Sequence, residues 1–301
     1  MKTALVTGGA GFIGSHLVDL LLAEGWYVTI LDDLSTGHLE NVPSAHVGFV
    51  RGDIVDHGIW GKFDVVFHLA AFVNAPESWV DPARCYAVNV RGTMNLLKAA
   101  TLHGTRFVYA ASSSCYGMEP SHPEGSHVGD VLDPQSPYAA SKAAAEMIVL
   151  NYPQVDARSC RFFNVYGPRQ RADSCYAAVV PKFIDAARAG RPLTIYGDGD
   201  QRRDFVFVKD VARALLDAAE DDGPKVRNVG TGAAVTINRL GEVICAMTGA
   251  EFRPEYLPAR DGDPRVSIAG DGVVKMDRLA SSAQLQETVA WWCEQKGVGN
   301  A

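Results

Sequence analysis

A glycine-rich turn near the amino terminus constrains the fold of this chain more than any other feature. Gly9, Gly11 and Gly14 fit the pattern G-x-G-x-x-G, and Gly8 replaces Gly9 in the variant G-x-x-G-x-x-G. The turn follows the apolar, β-prone run 3–7 and opens a helical pattern. Glycines there permit a tight turn, a close approach of backbone N–H groups to a pyrophosphate and close packing of helix on strand. The turn therefore predicts a β-α unit that binds a dinucleotide.

The rest of the first half alternates short β-rich runs with helical patterns. Such alternation predicts an α/β fold with a doubly wound parallel sheet of the Rossmann type, covered by helices on both faces. The β-rich runs lie at 28–31, 47–53, 64–71, 105–111 and 158–167, and the longest helical patterns cover roughly 83–102 and the stretch from 137 to about 150. Beyond about residue 170 the predicted helices and strands are shorter, and a stretch rich in Gly, Asp and Arg follows them.

An acidic residue at the end of the second predicted strand indicates the cofactor. Asp32 lies 18 residues past Gly14, close to the ~20 expected for an acid that binds a ribose 2′-hydroxyl. A carboxylate would repel a 2′-phosphate, so NAD is favoured over NADP. Asp53, at the end of the third strand, is a candidate partner for the adenine amine, and a strand-end cap is the alternative interpretation.

These features predict two parts. Residues 1–165 would form an NAD-binding domain. Residues 166–301 would form mainly a smaller substrate lobe, partly interleaved with the first domain. The two would share a cleft at the carboxyl ends of the parallel strands.

The composition excludes several functional classes. Lys and Arg number 28 against 35 Asp and Glu, a net charge of −7, whereas a broad nucleic-acid surface needs an excess of basic residues. No apolar run reaches the ~18 residues that a membrane span requires. The six cysteines show neither C-x-x-C nor zinc spacing, so we expect reduced thiols, no metal site and a cytoplasmic protein.

Tyr138 and Lys142 lie four residues apart in SPYAASKAAAE, which places both side chains on one face of a helix. A phenol with a pKa of ~10 is a poor base at neutral pH. A nearby ammonium and a positive nicotinamide ring would both lower that pKa, because they stabilise the phenolate. The serine run 112–114 follows the strand TRFVYAA. Its hydroxyls could hydrogen-bond a substrate oxygen, or the run could be an ordinary loop.

Together these segments resemble the extended short-chain dehydrogenase/reductase family, in particular its NAD-dependent nucleotide-sugar 4-epimerases. The matching motifs cover nearly the whole chain in family order: TGGAGFIGSH, LDDLSTG, GDI, HLAA, NVRGTMNLL, SSSCYG, SPYAASK, RFFNVYGPRQ, YGDGDQRRDF and RDGDPR. The resemblance implies that Tyr138 is the acid/base, that Ser112 assists proton transfer, and that Lys142 holds the nicotinamide ribose and tunes Tyr138. The other cofactor-binding residues that it implies are Phe12, Ile13, Asp33, Ile54, Leu69, Ala70, Ala71 and Asn89. The substrate-binding residues that it implies are Asn164, Tyr196, Arg203, Arg260, Asp263 and Ser267.

The implied reaction is a transient oxidation at the sugar C4, after which the 4-keto sugar is reduced from its other face. The family's 4,6-dehydratases carry an Asp-Glu pair, and its decarboxylases a Glu, in the segment where this chain has Ser113 and Ser114. Elimination needs an acid/base near C5 and C6, and serine is a poor one, which favours a 4-epimerase. The alternatives are an unusual dehydratase using Cys115 or Glu119, an NAD-binding protein without turnover, and a simple sugar reductase.

The resemblance also bears on the identity of the sugar and on the assembly of the protein. Ser267 falls near the position where a bulky aromatic restricts the sugar pocket in some relatives. A serine would leave room for a 2-acetamido group, so we hypothesise that UDP-GlcNAc and UDP-GalNAc are accepted beside UDP-Glc and UDP-Gal. The serine run 112–114 could equally receive the carboxylate of UDP-glucuronate. By analogy with relatives, we expect a homodimer through the helices near 83–102 and 138–150.

Overall fold

The structure is a computed structural model that describes residues 1–43, 47–57, 61–102, 104–171, 178–271 and 283–295. Its strands are β1 (Thr3–Thr7), β2 (Tyr27–Asp32), β3 (Val47–Arg51), β4 (Val65–His68), β5 (Arg106–Ser112), β6 (Ala157–Phe162), β7 (Asn164–Tyr166), β8 (Leu193–Tyr196), β9 (Arg202–Phe207), β10 (Val226–Val229), β11 (Ala234–Thr236), β12 (Pro254–Leu257) and β13 (Val266–Ser267). Its α-helices are α1 (Phe12–Ala23), α2 (Ala75–Val80), α3 (Pro82–Tyr86), α4 (Thr93–Thr101), α5 (Pro137–Asn151), α6 (Val179–Arg188), α7 (Val208–Glu220), α8 (Ile237–Thr248) and α9 (Ala283–Gln295). The chain divides into two compact units.

The first unit comprises 1–117, 131–162 and 209–229. Its sheet has the order β3-β2-β1-β4-β5-β6-β10, and every neighbouring pair is parallel. Parallel neighbours cannot be joined by a hairpin, so each connection crosses over the sheet. The order reverses between β1 and β4, and sheets of this kind bind ligands at the carboxyl ends of the strands beside that reversal. The predicted doubly wound parallel sheet is confirmed.

Burial on both faces explains why the strands of this sheet read as continuous apolar runs. Every residue of β4 and β6 is buried. One core cluster joins the sheet to the helices α4 and α5 and includes Phe107, Tyr109, Leu96, Leu97 and Val149. The catalytic candidates on β5 and α5 therefore stand on elements that this core cluster holds together.

The second unit comprises 118–130, 163–208 and the described part of 230–301. Strand β9 pairs with β7 and β13 in parallel and with β11 antiparallel, and β8 pairs with β12 in parallel. The segment 209–229, which contributes β10 and nearly all of α7, belongs to the first unit. The assignment of the cofactor to one part and of the substrate to the other stays a prediction.

Two predicted elements differ from the structure. The helix expected over 83–102 is divided by a wide π-helical turn at Ala87–Gly92, where the buried Asn89 turns its side chain into the unit. Such turns are frequent at functional sites. The run 158–167 forms two strands rather than one, because β6 pairs within the first unit and β7 within the second. Among the described helices, none is both long enough and apolar enough to cross a membrane.

Candidate active site

The glycine turn forms a cradle that only glycine can line. A Cβ on Gly14 would lie 2.1 Å from the carbonyl oxygen of Gly8, and a Cβ on Gly8 would lie 2.7 Å from the amide nitrogen of Ala70. Gly8 also has a φ of +72°, which side-chain-bearing residues rarely adopt. The first turn of α1 holds no acidic residue and, among the described residues, has no side-chain cap. Its N–H groups and positive dipole end therefore fit a phosphate.

The other cofactor candidates lie at the same edge of the sheet, because each follows the carboxyl end of a strand. Phe12 and Ile13 begin α1 after β1, Asp32 and Asp33 end and follow β2, Asp53 and Ile54 follow β3, and Leu69, Ala70 and Ala71 follow β4. The amide of Ala70 donates to the hydroxyl of Thr7 at 3.2 Å, which ties the β4 turn to the end of β1. The structure thus brings these residues together, and their contacts with a cofactor stay predictions.

Both carboxylates singled out from the sequence already accept hydrogen bonds from the chain. Asp32 accepts from the amides of Ala10 at 3.0 Å and Leu34 at 2.8 Å. Burial raises the pKa of Asp32, and these two hydrogen bonds oppose that rise. Asp53 accepts from the amide of Val55 at 2.8 Å and pairs with Arg84 at 2.6 Å.

Arg84 was missed by the sequence reasoning, because nothing local links it to a residue 31 positions away. Burial opposes ionisation of Asp53, but the bonds from Val55 and Arg84 outweigh it and lower the pKa of Asp53. The strand-end cap considered for Asp53 is thus present, and the adenine contact stays a prediction.

The structure brings Tyr138, Lys142 and Ser112 to one place. Helix α5 begins with Ser136 as its cap, which accepts from the amide of Ala139 at 3.1 Å. Tyr138 and Lys142 follow on one face, and Ser112, at the end of β5, interacts with the Tyr138 side chain and acts to lower its pKa. The amide of Tyr138 also donates to Ser78 at 3.0 Å, a contact that the sequence did not predict.

The electrostatics of this trio differ from the sequence expectation. Burial raises the pKa of Tyr138, the interaction with Ser112 opposes that rise, and Lys142 is not among the groups that cause the shift. Lys142 donates instead to the carbonyl of Ala110 at 2.5 Å, with its ammonium 4.4 Å from the centre of the Tyr109 ring. Burial lowers the pKa of Lys142 to about 7. We expected two positive charges to lower the Tyr138 pKa. Since Lys142 is not a cause of the shift here, only the charge of a bound nicotinamide would do so.

The remaining candidates between 113 and 119 differ in how deeply their side chains are buried. Ser114 shares a 2.9 Å hydrogen bond with Ser112, and Ser113 and Ser114 are both half-buried. Cys115 is buried, and burial raises the pKa of its thiol to about 12. Such a thiol stays protonated at neutral pH and is a poor acid/base. Glu119 is exposed and belongs to the second unit.

A buried polar chain connects the cofactor turns to α5. The side chain of Asn89 accepts from the amide of Phe72 at 2.8 Å and donates to the Phe72 carbonyl at 3.0 Å and the Ser141 hydroxyl at 2.9 Å. His68 links the hydroxyls of Thr7 and Thr93, each at 2.8 Å, and burial lowers its pKa to about 3, so it is neutral. Asn89 was predicted to bind the cofactor; here its side chain braces the loop after β4, and a cofactor contact stays a prediction.

The substrate candidates lie in the second unit, where several bind one another. Arg203 is buried and pairs with Asp263 at 2.6 Å. The guanidinium of Arg260 lies 3.6 Å from the centre of the Tyr196 ring, and the hydrogen bond from Arg260 lowers the pKa of Tyr196. Ser267 stands beside Arg203 in the register of β13 and β9 and is half-buried.

Asn164 donates to the backbone carbonyl of Asp204 at 3.1 Å. Asp204 itself was missed by the sequence reasoning. Its buried carboxylate accepts from the amides of Thr231, Gly232 and Ala269 and thereby organises the loops beside β9. The run RRDF does contain it, but nothing in the sequence indicates which amides it would bind.

Comparison with known proteins decides the family. Residues 4–230 match the NAD dependent epimerase/dehydratase family. This chain belongs to that family. A UDP-glucose 4-epimerase from Mycolicibacterium smegmatis is 44% identical over 282 residues, which cover 89% of each chain. UDP-glucuronic acid decarboxylase 4 of Arabidopsis thaliana is 34% identical over 270 residues, which cover 86% of this chain and 60% of the relative.

A solved structure agrees closely with this epimerase/dehydratase chain. The UDP-N-acetylglucosamine 4-epimerase from Methanobrevibacter ruminantium M1, in complex with UDP-N-acetylmuramic acid, matches with a TM-score of 0.91 at 39% identity and covers 98% of this chain and 99% of its own. Epimerases and a decarboxylase of the same family are thus both similar to this chain. Within the described ranges, no group of three or more His, Cys, Asp or Glu side chains could hold a metal ion.

Proposed function

We propose that this chain is an NAD-dependent UDP-sugar 4-epimerase. The observation that carries the proposal is the contact between Tyr138 and Ser112, with Lys142 one helical turn further on the same face. The glycine cradle at the end of β1 lies at the same edge of the same sheet and fits a dinucleotide phosphate. In this proposal the first unit holds NAD and the second unit holds the nucleotide sugar.

The residues of the chain supply proton transfer and orientation. As a phenolate, Tyr138 takes the proton of the sugar 4-hydroxyl and later returns it to the same oxygen. Ser112 hydrogen-bonds Tyr138 and stabilises the phenolate. Lys142, anchored on the carbonyl of Ala110, is placed to hold a ribose hydroxyl and to add positive charge. Bound NAD⁺ would supply the reversible acceptance of hydride from C4.

Arg203 and Arg260 are the residues that we propose for the diphosphate. In the structure they are held by Asp263 and Tyr196 respectively. Asp263 carries a negative charge, which disfavours a direct contact with a diphosphate. We therefore propose that Asp263 orients Arg203, while the guanidinium groups face the phosphates.

Interconversion of UDP-sugars by the purified protein tests the proposal. We expect UDP-galactose to become UDP-glucose without added cofactor, because NAD is regenerated in each turnover. Tyr138→Phe keeps the ring and removes the proton-transfer group, so it should lower kcat by about 10²–10⁴-fold and leave NAD binding in place. Full activity of Tyr138→Phe would refute the assignment.

Dehydration and decarboxylation are the competing reactions. Ser113, Ser114 and the protonated thiol of Cys115 offer no strong acid or base beside the sugar, which favours the epimerase. Incubation with UDP-glucuronate distinguishes the reactions. Release of CO₂ would indicate the decarboxylase activity named for the Arabidopsis relative, a keto or exo-glycal product from a UDP-hexose would indicate a dehydratase, and a C4 epimer would support our proposal.

We also propose that the protein is a cytoplasmic homodimer. Large apolar side chains are exposed on the helices between 75 and 151 of the first unit: Trp79, Val80, Tyr86, Met94 and Met147. Exposed apolar surface of this kind marks interaction sites, and a second copy of the chain fits the predicted helix pairing. Sedimentation should give about twice the 32.4 kDa of one chain, and Trp79→Asp should shift the protein to the monomer. A purely monomeric wild type would overturn the dimer.

A further inference from the structure

A buried ion pair on α5 has no part in the mechanism proposed above. Glu146 follows Lys142 by one helical turn and Tyr138 by two, and both Glu146 and its partner Arg161 are buried. Arg161, on β6, donates to Oε1 of Glu146 at 2.5 Å from Nη2 and to Oε2 at 3.0 Å from Nε. The Ser159 hydroxyl donates to Oε2 at 2.7 Å. Both oxygens of the Glu146 carboxylate thus accept hydrogen bonds.

The same guanidinium reaches the turn that carries Ser112. Nη1 of Arg161 donates to the Tyr116 hydroxyl at 2.8 Å, and that hydroxyl donates to Oδ1 of Asn228 on β10 at 2.7 Å. The Arg161 guanidinium also lies 4.9 Å from the centre of the Tyr116 ring. Tyr116 ends the 3₁₀ turn that Ser112 caps. One cation therefore joins the catalytic helix to the catalytic strand end.

Stability alone is a weak reason for such a pair. Removing two charges from water is costly, and well-packed apolar residues often replace a buried ion pair without loss. What apolar residues would not provide is the directed set of hydrogen bonds that fixes one turn against one helix. Tyr138 and Ser112 must keep their contact for proton transfer, and displacements of about 1 Å in an active site can cost about 10²-fold in rate.

We propose that Glu146, Arg161 and Tyr116 form a positioning network that fixes the Ser112 turn against the helix carrying Tyr138 and Lys142. Its effect on turnover rests on the proposed epimerase function, whereas its effect on the order of the turn does not. None of the three is a catalytic residue, since each acts through Ser112, Tyr138 or Lys142.

The network also adds negative charge behind Lys142. Burial lowers the pKa of Lys142 to about 7, and Glu146 acts to raise it. The titratable groups that interact with Lys142 from the elements around it are Glu146 on α5, Cys85 on α3, Tyr109 on β5 and His68 on β4. Of these, only Glu146 is a carboxylate. Loss of its charge should therefore make Lys142 deprotonate at lower pH.

Two substitutions test the network with little change of volume. Tyr116→Phe removes the hydroxyl that Arg161 binds, and Glu146→Gln removes the charge. Their matched controls are Tyr27→Phe, at an exposed tyrosine, and Glu24→Gln, at an exposed ion pair with Arg213 of the same unit. We expect kcat to fall about 10–100-fold in Tyr116→Phe, because the variant loses a hydrogen bond to a charged group. KM and the amount of bound NAD should stay within about twofold of wild type.

Two further measurements separate positioning from general destabilisation. Amide hydrogen exchange of peptide 112–117 should be faster in both variants than in both controls, whether or not substrate is present. The alkaline limb of the kcat profile should move to lower pH in Glu146→Gln and stay in place in Tyr116→Phe.

Each outcome supports or overturns the positioning network. If both variants melt like their controls and keep the wild-type kcat and exchange at 112–117, the network has no positioning role. A rise in KM at unchanged kcat and unchanged exchange would overturn it as well. If Glu146→Gln does not fold, Tyr116→Phe decides alone. If wild type interconverts no UDP-sugar, the proposed function fails, and the exchange measurement still decides whether the turn is held by this network.

Discussion

The glycine cradle gives the sharpest prediction, because the space at Gly14 is known in detail. Gly14→Ala would place a Cβ 2.1 Å from the carbonyl oxygen of Gly8, whereas ordinary van der Waals contacts begin at 3.4 Å. The obstacle is backbone, so the turn must move by about 1.3 Å, the difference between those distances. A displacement of that size in a phosphate-binding turn should weaken NAD binding by at least about 10²-fold, which corresponds to about 2.7 kcal/mol.

The matched control is Gly129→Ala. A Cβ on Gly129 meets no atom within 4 Å, and its φ lies outside the left-handed region. Calorimetric titration of NAD⁺ into protein freed of nucleotide measures both affinities, and thermal unfolding shows whether each variant folds. If Gly14→Ala folds and binds NAD⁺ within about threefold of wild type, the cradle does not hold the cofactor as argued.

Three further predictions concern single side chains. Burial lowers the pKa of Lys142 from 10.5 to about 7, so between these values the unfolded chain binds more protons than the folded one. The free energy of unfolding of NAD-free wild type, relative to Lys142→Met, should therefore rise with pH by up to ~1.4 kcal/mol per unit. A flat difference in urea unfolding across that range would contradict this. Cys115→Ser should keep epimerase activity within about threefold, because a thiol with a pKa of about 12 is neither an acid nor a base at neutral pH; loss of turnover with intact folding would show that the thiol takes part in the reaction. Ser267→Tyr should lower kcat/KM for UDP-GlcNAc at least about 10-fold relative to UDP-Glc, and equal losses for both sugars would count against a pocket role for Ser267.

Local patterns made the fold and the catalytic helix predictable. A strand, a glycine turn and a helix are contiguous in the sequence, and so are Tyr138 and Lys142, whose spacing of four residues fixes their common face. The bounds of α5, Pro137–Asn151, accordingly lie close to the predicted stretch from 137 to about 150. Ser112 was placed beside Tyr138 only through the family resemblance, since a serine-rich strand end is ordinary on its own.

Contacts between distant residues could not be derived in the same way. The pair Asp53–Arg84 and the bond from Tyr138 to Ser78 join residues 31 and 60 positions apart. The rise in the Tyr138 pKa in this structure could not be foreseen either, because the spacing of a lysine says nothing of burial, which causes that rise. Arg203 and Asp263 were predicted as two separate contacts with the substrate. In the structure they form an ion pair with each other, which their 60-residue separation in the sequence does not indicate.

The two amides held by Asp32 limit how the coenzyme preference could be redesigned. A change toward the 2′-phosphorylated dinucleotide would ordinarily begin by removing this acid and adding a basic residue. Here the substitution would also release the amide of Ala10, inside the glycine turn, and that of Leu34, which has a φ of 63°. A successful exchange would need a neutral acceptor such as Asn at 32 to keep both loops folded, with the new cation introduced further along the chain.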